Sequence, residues 1–311
     1  MPLSLRRGVV TAVLERHEGL VRLEVDGEPC VAYPPLTGPV ALRDDVVINT
    51  QAGQLELGSG GFDILYVNLT RGLDRRPEPG AHVMLLPYSP LQTAVRHAEE
   101  DGTLAESLDG MPVVCCSLHS QVAPVCAGLA GARVAYVQLG GGALPVALSD
   151  ALRALRTRGL VETLVAVAPC FGGNAQSVTV ASALAWAKRQ GHDAAVCSTG
   201  PGIVGTATSL GHGGLAAAEA ANAASALRGR PVVAERVSEA DERERHRGRS
   251  HHTDAVLRLA LGDVDVGRDG EGWREACAGL PLSHMGRGPD EDPAFFAAAF
   301  AAGRHALRLL G

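Results

Sequence analysis

The stretch DAAVCSTGPGIVGTATSLGHGGLAAAEAAN, from Asp193 to Asn222, contains a short apolar run, a loop with six glycines and an alanine-rich segment typical of a helix. A strand that leads through a glycine loop into a helix often forms a ligand site at the edge of a parallel sheet. The loop and the helix N-terminus bring backbone N–H groups together there. The stretch therefore predicts an α/β fold and the position of a site, but not a reaction.

The same alternation of strand and helix continues on both sides of this stretch. Apolar runs with the length of buried strands lie at 113–116, 134–137, 164–167, 194–197 and 231–234, and helical segments separate them. Such alternation is typical of a parallel sheet covered by helices on both faces, with right-handed crossovers. We predict a doubly wound, mainly parallel, Rossmann-like α/β domain. Its tail is predicted to be helical from about residue 254, with a helix that begins at Pro293.

The N-terminal part has a different pattern, with short β-type runs instead of helical periodicity. Leu20–Val25 alternates in polarity, and Asp26-Gly27 separates it from a run at 30–33, which indicates a hairpin. We predict about five short strands in a small barrel or sandwich. The domains are predicted as 1–75 and 76–311. We expect the first domain to act in packing or dimerisation, or to form a lid over the second domain.

Two segments near the boundary carry further predictions. The stretch 70–80 is charged and contains prolines, which is typical of a linker. An extended segment at 82–90 is predicted to lead into a helix from about residue 91 to 100.

Composition argues against several classes of function. The net charge of −6 and the aromatic content of 4% favour neither phosphate contacts nor base stacking with nucleic acid. No apolar run is long enough to cross a membrane, and the N-terminus lacks a signal-peptide pattern. The seven cysteines lie mostly in apolar runs and form no Cys-x-x-Cys pair. This usage is typical of reduced thiols, so we predict a cytoplasmic protein.

The loops that follow the strands are the candidate ligand site, because ligands of a doubly wound sheet lie at the carboxyl ends of its strands. Three of the four loops are rich in glycine, which requires either a ligand or a neighbouring helix close to the backbone. A phosphate or carboxylate held by loop amides is a more general reading than NAD. Gly200–Gly205 matches G-x-G-x-x-G, but its helix would be short and the next strand-end acid, Glu235, comes too late. The candidate ligand-binding positions in these loops are Gly141, Gly172, Gly173, Asn174, Gly200, Gly202 and Gly205.

Three residues in the same loops are candidates for catalysis. Cys170 follows a strand end and precedes Phe171-Gly-Gly-Asn174, where a helix N-terminus would lower the pKa of its thiol and make it nucleophilic. The alternative is an inert, half-buried thiol. His119 and His212 lie at strand ends and are candidate acid/base groups, with capping or packing as the alternative.

The polar run 244–254 supplies the other candidates. Arg247 and Arg249 are candidates to hold an anion, and His251 is a candidate acid/base group. A solvated loop is the alternative. His251 and His252 lie about 100° apart on a helix and cannot chelate one ion as an i, i+4 pair. We therefore assign no metal ligand, although one of the two histidines could join His119 or Asp254 in a metal site.

Three segments stand out from the rest of the chain: His82-Val-Met84 with Tyr88–Gln92, Ser198–His212, and HRGRSHHT at His246–Thr253. They resemble an uncharacterised bacterial family, domain of unknown function 3866. The resemblance covers nearly the whole chain and implies a stand-alone cytoplasmic protein. It brings no established activity, so no catalytic residue is carried over from it.

The sequence therefore predicts a small-molecule enzyme of hydrolase or transferase type that binds an anionic or phosphorylated ligand at the glycine loops. Two alternatives stay open: a noncatalytic regulatory protein that binds a nucleotide-like ligand, and an oligomeric scaffold whose glycines permit tight packing. The predicted partners are the small anionic ligand and further copies of the chain, with neither nucleic acid nor membrane. We expect Gly202, Cys170 and His251 to gather around one cleft.

Overall fold

The computed structural model describes residues 3–55, 61–76 and 78–311. The chain separates into two compact units, one ending at Val95 and the other beginning at Arg96. Residues 76–95, which the sequence assigns to the second domain, are thus grouped with the first unit. Pro77, in the predicted linker, lies outside the described residues.

The first unit contains a closed barrel with the strand order β1-β2-β3-β5-β4, which confirms the predicted small β domain. Asp26 and Gly27 both have positive φ, as the tight turn between the second and third strands requires. Apolar side chains such as Leu23 and Ile48 fill the barrel. Its elements are β1 (Leu5–His17), β2 (Leu20–Val25), β3 (Glu28–Ala32), α1 (Pro34–Thr37), β4 (Asp45–Asn49), α2 (Gln51–Gln54) and β5 (Asp63–Asn68).

A short antiparallel hairpin follows the barrel, with strands β6 (Val83–Leu85) and β7 (Thr93–Val95). The helix predicted at 91–100 is therefore wrong. The β-branched residues Thr93 and Val95 favour extended backbone, and β7 pairs with β6 along its whole length. A 3-10 turn at Ala98–Asp101 is the helical structure found in this segment.

The second unit is built on a parallel sheet with the order β11-β10-β9-β12-β8-β13-β16. All five predicted strands are present, and β11 and β16 extend the sheet at its two edges. The strands are β8 (Pro112–Cys116), β9 (Val134–Leu139), β10 (Thr163–Val167), β11 (Ala175–Ser177), β12 (Ala194–Thr199), β13 (Arg230–Ala234) and β16 (Asp265–Val266). A separate antiparallel pair consists of β14 (Val237–Ser238) and β15 (Gly248–Arg249).

Helices cover both faces of this sheet. The bounds are α3 (Val122–Gly128), α4 (Asp150–Thr157), α5 (Val180–Arg189), α6 (Ala216–Ala226), α7 (His251–Leu259), α8 (Trp273–Ala276) and α9 (Pro293–Arg308). Helices α3, α4, α8 and α9 contribute to one apolar layer, and α5, α6 and α7 to the other. The helices that connect β8, β9 and β10 lie on the first face of the sheet. The helices that connect β11, β12 and β13 lie on the second face. One constant crossover hand produces this arrangement, which confirms the doubly wound, Rossmann-like fold.

The strand order determines which loops meet. The strand of the glycine stretch, β12, lies between β8 and β9 and pairs with both. The loops after β9, β12, β8 and β13 therefore leave the carboxyl edge of the sheet as neighbours. In the described part of the chain, no helix has the length and apolar character that a membrane span requires.

Candidate functional site

The glycine loops after β9 and β12 pack directly against each other. A Cβ on Gly213 would overlap the carbonyl oxygen of Gly141, and a Cβ on Gly200 would overlap that of Ala143. Two backbone hydrogen bonds join the loops: Ala143 N donates to Pro201 O at 2.9 Å, and Val204 N donates to Gly141 O at 3.0 Å. A Cβ on Gly141 would in turn lie 2.7 Å from the backbone of Gly213, so close backbone contact requires Gly141 and Gly200 to be glycine.

The other candidate positions in the glycine loops also have local explanations. Asn174 closes the turn onto β10, because its side-chain oxygen accepts from Leu164 N at 2.9 Å and its amide donates to Leu164 O at 2.7 Å. A Cβ on Gly173 would overlap the same carbonyl. Gly172 and Gly202 have φ of 83° and 69° with open space where a Cβ would lie, so their backbone conformation favours glycine. At Gly205, a Cβ would lie 2.9 Å from that of His212.

Cys170 does not have the environment of a reactive thiol. Its side chain is fully buried in the apolar layer on one face of the sheet. Burial raises the pKa of the thiol to about 12, so it stays protonated at neutral pH. A nucleophilic cysteine needs the opposite shift and some access to substrate.

His119 forms a hydrogen-bonded pair with a serine. Its Nε2 lies 2.6 Å from Ser149 Oγ, and its Nδ1 lies 3.2 Å from the carbonyl oxygen of Thr199. Nδ1 must donate to that carbonyl, so Nε2 accepts from the hydroxyl. Burial lowers the pKa of His119 to about 4, and the ring is neutral. Ser149 is itself buried and caps α4 by accepting from Leu152 N at 3.1 Å, which makes the pair a structural bond between loops.

A cluster of histidine rings lies beside the loop that follows β13; we refer to His212, His246, His251 and His252 as the histidine cluster. His212 comes from the loop after β12, and His246 from a 3-10 turn at Glu244–His246. His251 and His252 form the first turn of α7, which Ser250 caps by accepting from His252 N at 3.2 Å. The rings of His212 and His252 stack with centroids 3.7 Å apart, and those of His251 and His252 are 4.6 Å apart. The ring of His246 lies 4.8 Å from that of His251 and 4.9 Å from that of His252.

Hydrogen bonds determine which nitrogen of each ring is open. His246 Nδ1 lies 2.7 Å from Ser250 Oγ, which leaves Nε2 open. His212 Nε2 lies 3.2 Å from the carbonyl of Ser209 and must donate to it, so Nδ1 carries the lone pair. Among the described residues, neither His212 Nδ1 nor His251 Nε2 finds a hydrogen-bond partner, although both atoms are buried. His252 Nδ1 lies 3.2 Å from Arg236 Nη1 and accepts from it.

The rings of the histidine cluster are held in the neutral form. Burial is the largest cause and the charge of Arg236 the next, and together they lower the pKa of His246 to about 3. Burial is also the largest cause that lowers the pKa of His252, to about 2. The pKa values of His212 and His251 are also lowered, again chiefly by burial. One nitrogen each from His246, His251 and His252 lies within 4.8 Å of the others, so these three residues could hold a metal ion. The sequence assigned no metal ligand, because neighbouring residues on a helix point about 100° apart, but in the first turn of α7 the rings of His251 and His252 lie 4.6 Å apart between centroids.

An ionic network built on the buried side chains of Arg236, Asp241 and Asp292 adjoins the histidine cluster. Asp241 lies 3.2 Å from Arg236, 2.8 Å from Arg243 and 3.5 Å from Arg287, and Arg287 lies 3.3 Å from Asp292. Three guanidinium groups thus face two carboxylates, and the network carries one net positive charge. The hydrogen bond from Arg243 holds the pKa of Asp241 well below its usual range. This excess charge favours a negatively charged ligand.

The two arginines proposed from the sequence lie on the surface. Arg247 is exposed. Arg249 is 54% exposed and pairs with Asp254 at 2.8 Å and Glu235 at 3.6 Å, which compensates its charge. Sequence reasoning missed Arg236, although it comes two residues after the end of β13 and so lies in the region where a ligand site is expected.

The expected meeting of Gly202, Cys170 and His251 is realised only in part. The ring of His251 lies 5.9 Å from that of His212, which belongs to the same glycine loop as Gly202. Cys170 lies in the apolar layer instead. The structure thus joins the polar run 244–254 to the glycine loop through histidine side chains.

The fold and this site define a doubly wound α/β protein with polar side chains gathered at the carboxyl edge of its sheet, preceded by a small β-barrel. The model of the DUF3866 family, described as a protein of unknown function, matches residues 29–271. The chain belongs to this family, as the sequence resemblance indicated. Among curated proteins, none matches the chain significantly.

Proposed function

We propose that the protein is a small-molecule enzyme of hydrolase or transferase type that acts on an anionic or phosphorylated ligand at the histidine cluster. The observation that supports this proposal most is the pair of buried nitrogens, His212 Nδ1 and His251 Nε2, without partners among the described residues. Leaving a buried polar atom unpaired costs about 1–3 kcal/mol. A ligand that pairs with these atoms would recover that cost.

The proposed site lies at the histidine cluster rather than at the loop amides. The amides of Ala143 and Val204 already donate to carbonyl groups of the opposite loop. The histidine cluster instead offers lone pairs beside a network with one net positive charge, centred on Arg236 and Asp241. An anionic group would be attracted by this charge, and the neutral rings would not repel a substrate proton.

His212 is the proposed acid/base group. The carbonyl of Ser209 fixes its Nε2 as a donor at 3.2 Å, so Nδ1 is the atom that accepts a proton. Stacking on His252 at 3.7 Å between ring centroids holds the ring plane in place. A base with a fixed tautomer and orientation is what general base catalysis requires. His251, with its open Nε2, is proposed to contact the ligand.

The test combines ligand binding with turnover. Thermal unfolding of the full chain is followed with inorganic phosphate, nucleoside monophosphates, sugar phosphates and dicarboxylates, because a ligand of the folded state raises the melting temperature. Turnover is followed with p-nitrophenyl phosphate and p-nitrophenyl acetate. We expect His212→Ala to lower turnover by about 10²- to 10⁴-fold. His305→Ala is the control, since His305 lies on α9 and pairs with Asp265 at 3.3 Å.

Three outcomes separate the alternatives. Loss of turnover in His212→Ala but not in His305→Ala supports the enzyme. A thermal shift without turnover of either ester supports the noncatalytic ligand-binding protein instead. If no compound shifts the melting temperature, both readings fail and the scaffold is favoured.

We also propose that the protein works in the cytoplasm. All seven cysteines are free and buried, which fits a reducing compartment. The homo-oligomer stays a prediction.

A further inference from the structure

We infer that His246, His251 and His252 form a binding site for one divalent transition-metal ion, of which Zn²⁺ is the best match. The inference concerns the proposed active site, and its meaning for catalysis rests on the proposed function. Metal binding itself does not depend on that function and can be measured without a substrate.

The spacing of the three ligand nitrogens is close to that of an ion site. They lie within 4.8 Å of one another. Because each nitrogen lies about 2.1 Å from a bound Zn²⁺, two ligands of a tetrahedral ion are roughly 3.4 Å apart. The longest separation must therefore shorten by roughly 1.4 Å, which rotation about the side-chain bonds of His246 and His251 can provide.

Two of the rings already present an open nitrogen. Ser250 Oγ holds His246 Nδ1 at 2.7 Å and orients the ring, as the outer hydrogen bonds of metal-bound histidines do. His251 Nε2 is buried and has no hydrogen-bond partner in the described part of the chain. An ion would satisfy this atom.

His252 is the ligand that must exchange a partner. Arg236 donates to its Nδ1 at 3.2 Å. A neutral ring with this bond carries its proton on Nε2. Coordination through Nδ1 displaces the guanidinium, and coordination through Nε2 moves the proton of the neutral ring to Nδ1, where it faces the donor of Arg236. Either route weakens the hydrogen bond between Arg236 and His252.

The donor set selects the kind of ion. Three imidazoles suit Zn²⁺, Co²⁺, Ni²⁺ and Cu²⁺, whereas Mg²⁺ and Ca²⁺ prefer oxygen ligands. Three protein ligands also leave one tetrahedral position open, which is the arrangement of catalytic zinc sites. The net positive network beside the site opposes a bare cation, so an anion in the open position should tighten binding.

The experiment measures metal binding by the full chain. The protein is freed of metal with EDTA and titrated with Co²⁺, whose visible d–d bands report tetrahedral coordination, and then with Zn²⁺ against a chromophoric chelator. We expect one ion per chain. The seven thiols would add a sulfur-to-cobalt charge-transfer band if they took part, so its absence excludes sulfur ligands, and the histidine variants identify the nitrogen ligands.

Variants assign the ligands. His251→Ala and His246→Ala are expected to weaken binding by more than the roughly 10- to 100-fold that loss of an outer hydrogen bond costs. His305→Ala is the control and keeps wild-type affinity. Circular dichroism of each metal-free variant shows that it is folded, and His251→Gln replaces His251→Ala if the latter unfolds.

The outcomes distinguish this inference from the proposed function. Metal binding that depends on His246 and His251, without any turnover, supports the inference and counts against the enzyme. Turnover by a wild-type protein that binds no Co²⁺ or Zn²⁺ supports the enzyme and overturns the inference. Equal affinity in wild type and His251→Ala also overturns it.

Discussion

The loops after β9 and β12 meet through glycine backbone, whereas the segment after β13 fills its space with charged and aromatic side chains. In the first region, the Gly141 carbonyl accepts from Val204 N, and a Cβ on Gly213 would overlap it. In the second region, His251 Nε2 and Arg236 Nε are buried without a hydrogen-bond partner among the described residues. Dense glycine therefore indicates contact between loops here, whereas the segment after β13 holds buried polar atoms without partners in the described part of the chain.

The largest expected effect comes from the segment after β13. Asp241 is buried and faces Arg236, Arg243 and Arg287. Its replacement in Asp241→Ala leaves buried positive charge uncompensated, which is expected to lower the free energy of unfolding by about 3–5 kcal/mol. Urea denaturation measures this change. Asp254→Ala, at an exposed carboxylate of the same segment, is the matched control.

The same carboxylate gives a pH dependence of stability. The hydrogen bond from Arg243 lowers the pKa of Asp241 in the folded state below its unfolded value. Its contribution to stability is therefore complete above the unfolded pKa of about 3.9 and is lost as the pH falls towards the folded pKa. The free energy of unfolding of wild type should fall more steeply below pH 4 than that of Asp241→Asn. Parallel curves would contradict this role.

The strand positions could be predicted because each strand is encoded locally as a short apolar run. Residues 194–197 mark β12, and the structure extends it only to Thr199. The strand order could not be predicted, because the insertion of β12 between β8 and β9 depends on long-range pairing. The same reason explains the error at 91–100, where pairing with β6 decides the structure of β7.

The candidate site could be predicted only in part. His212 and His251 stand out because of their positions in loops, but nothing local shows that His246 and Arg236 turn inward. Both side chains are fixed through Ser250, whose N donates to Arg236 O at 2.8 Å and whose Oγ lies 2.7 Å from His246 Nδ1. The glycine pattern does not distinguish a ligand site from a contact between loops, because both require a backbone without a Cβ at the point of close approach.

A smaller effect separates two roles of glycine in the loop after β12. Gly213→Ala places a methyl group against the backbone of Gly141, and overpacking of this kind costs about 1–3 kcal/mol. Gly202→Ala meets no atom within 4 Å but keeps φ near 69°, which costs about 1–2 kcal/mol. Urea denaturation should therefore rank Gly213→Ala as the more damaging change. The reverse order would show that the loops after β9 and β12 separate easily. Their glycines would then not be explained by close contact between the loops.

The smallest effect is expected at the surface of the segment after β13. Arg249 and Asp254 are 54% and 52% exposed and pair at 2.8 Å. Solvent screens such a pair, so Arg249→Ala should change the free energy of unfolding by less than about 0.5 kcal/mol. A double-mutant cycle with Asp254→Ala should give a coupling of at most about 1 kcal/mol. A larger coupling would mean that the pair is shielded from water in solution, so that a ligand or a second copy of the chain covers this surface. Arg249 would then belong to the site, and the difference between the ionic network around Asp241 and the exposed pair of Arg249 and Asp254 would no longer hold.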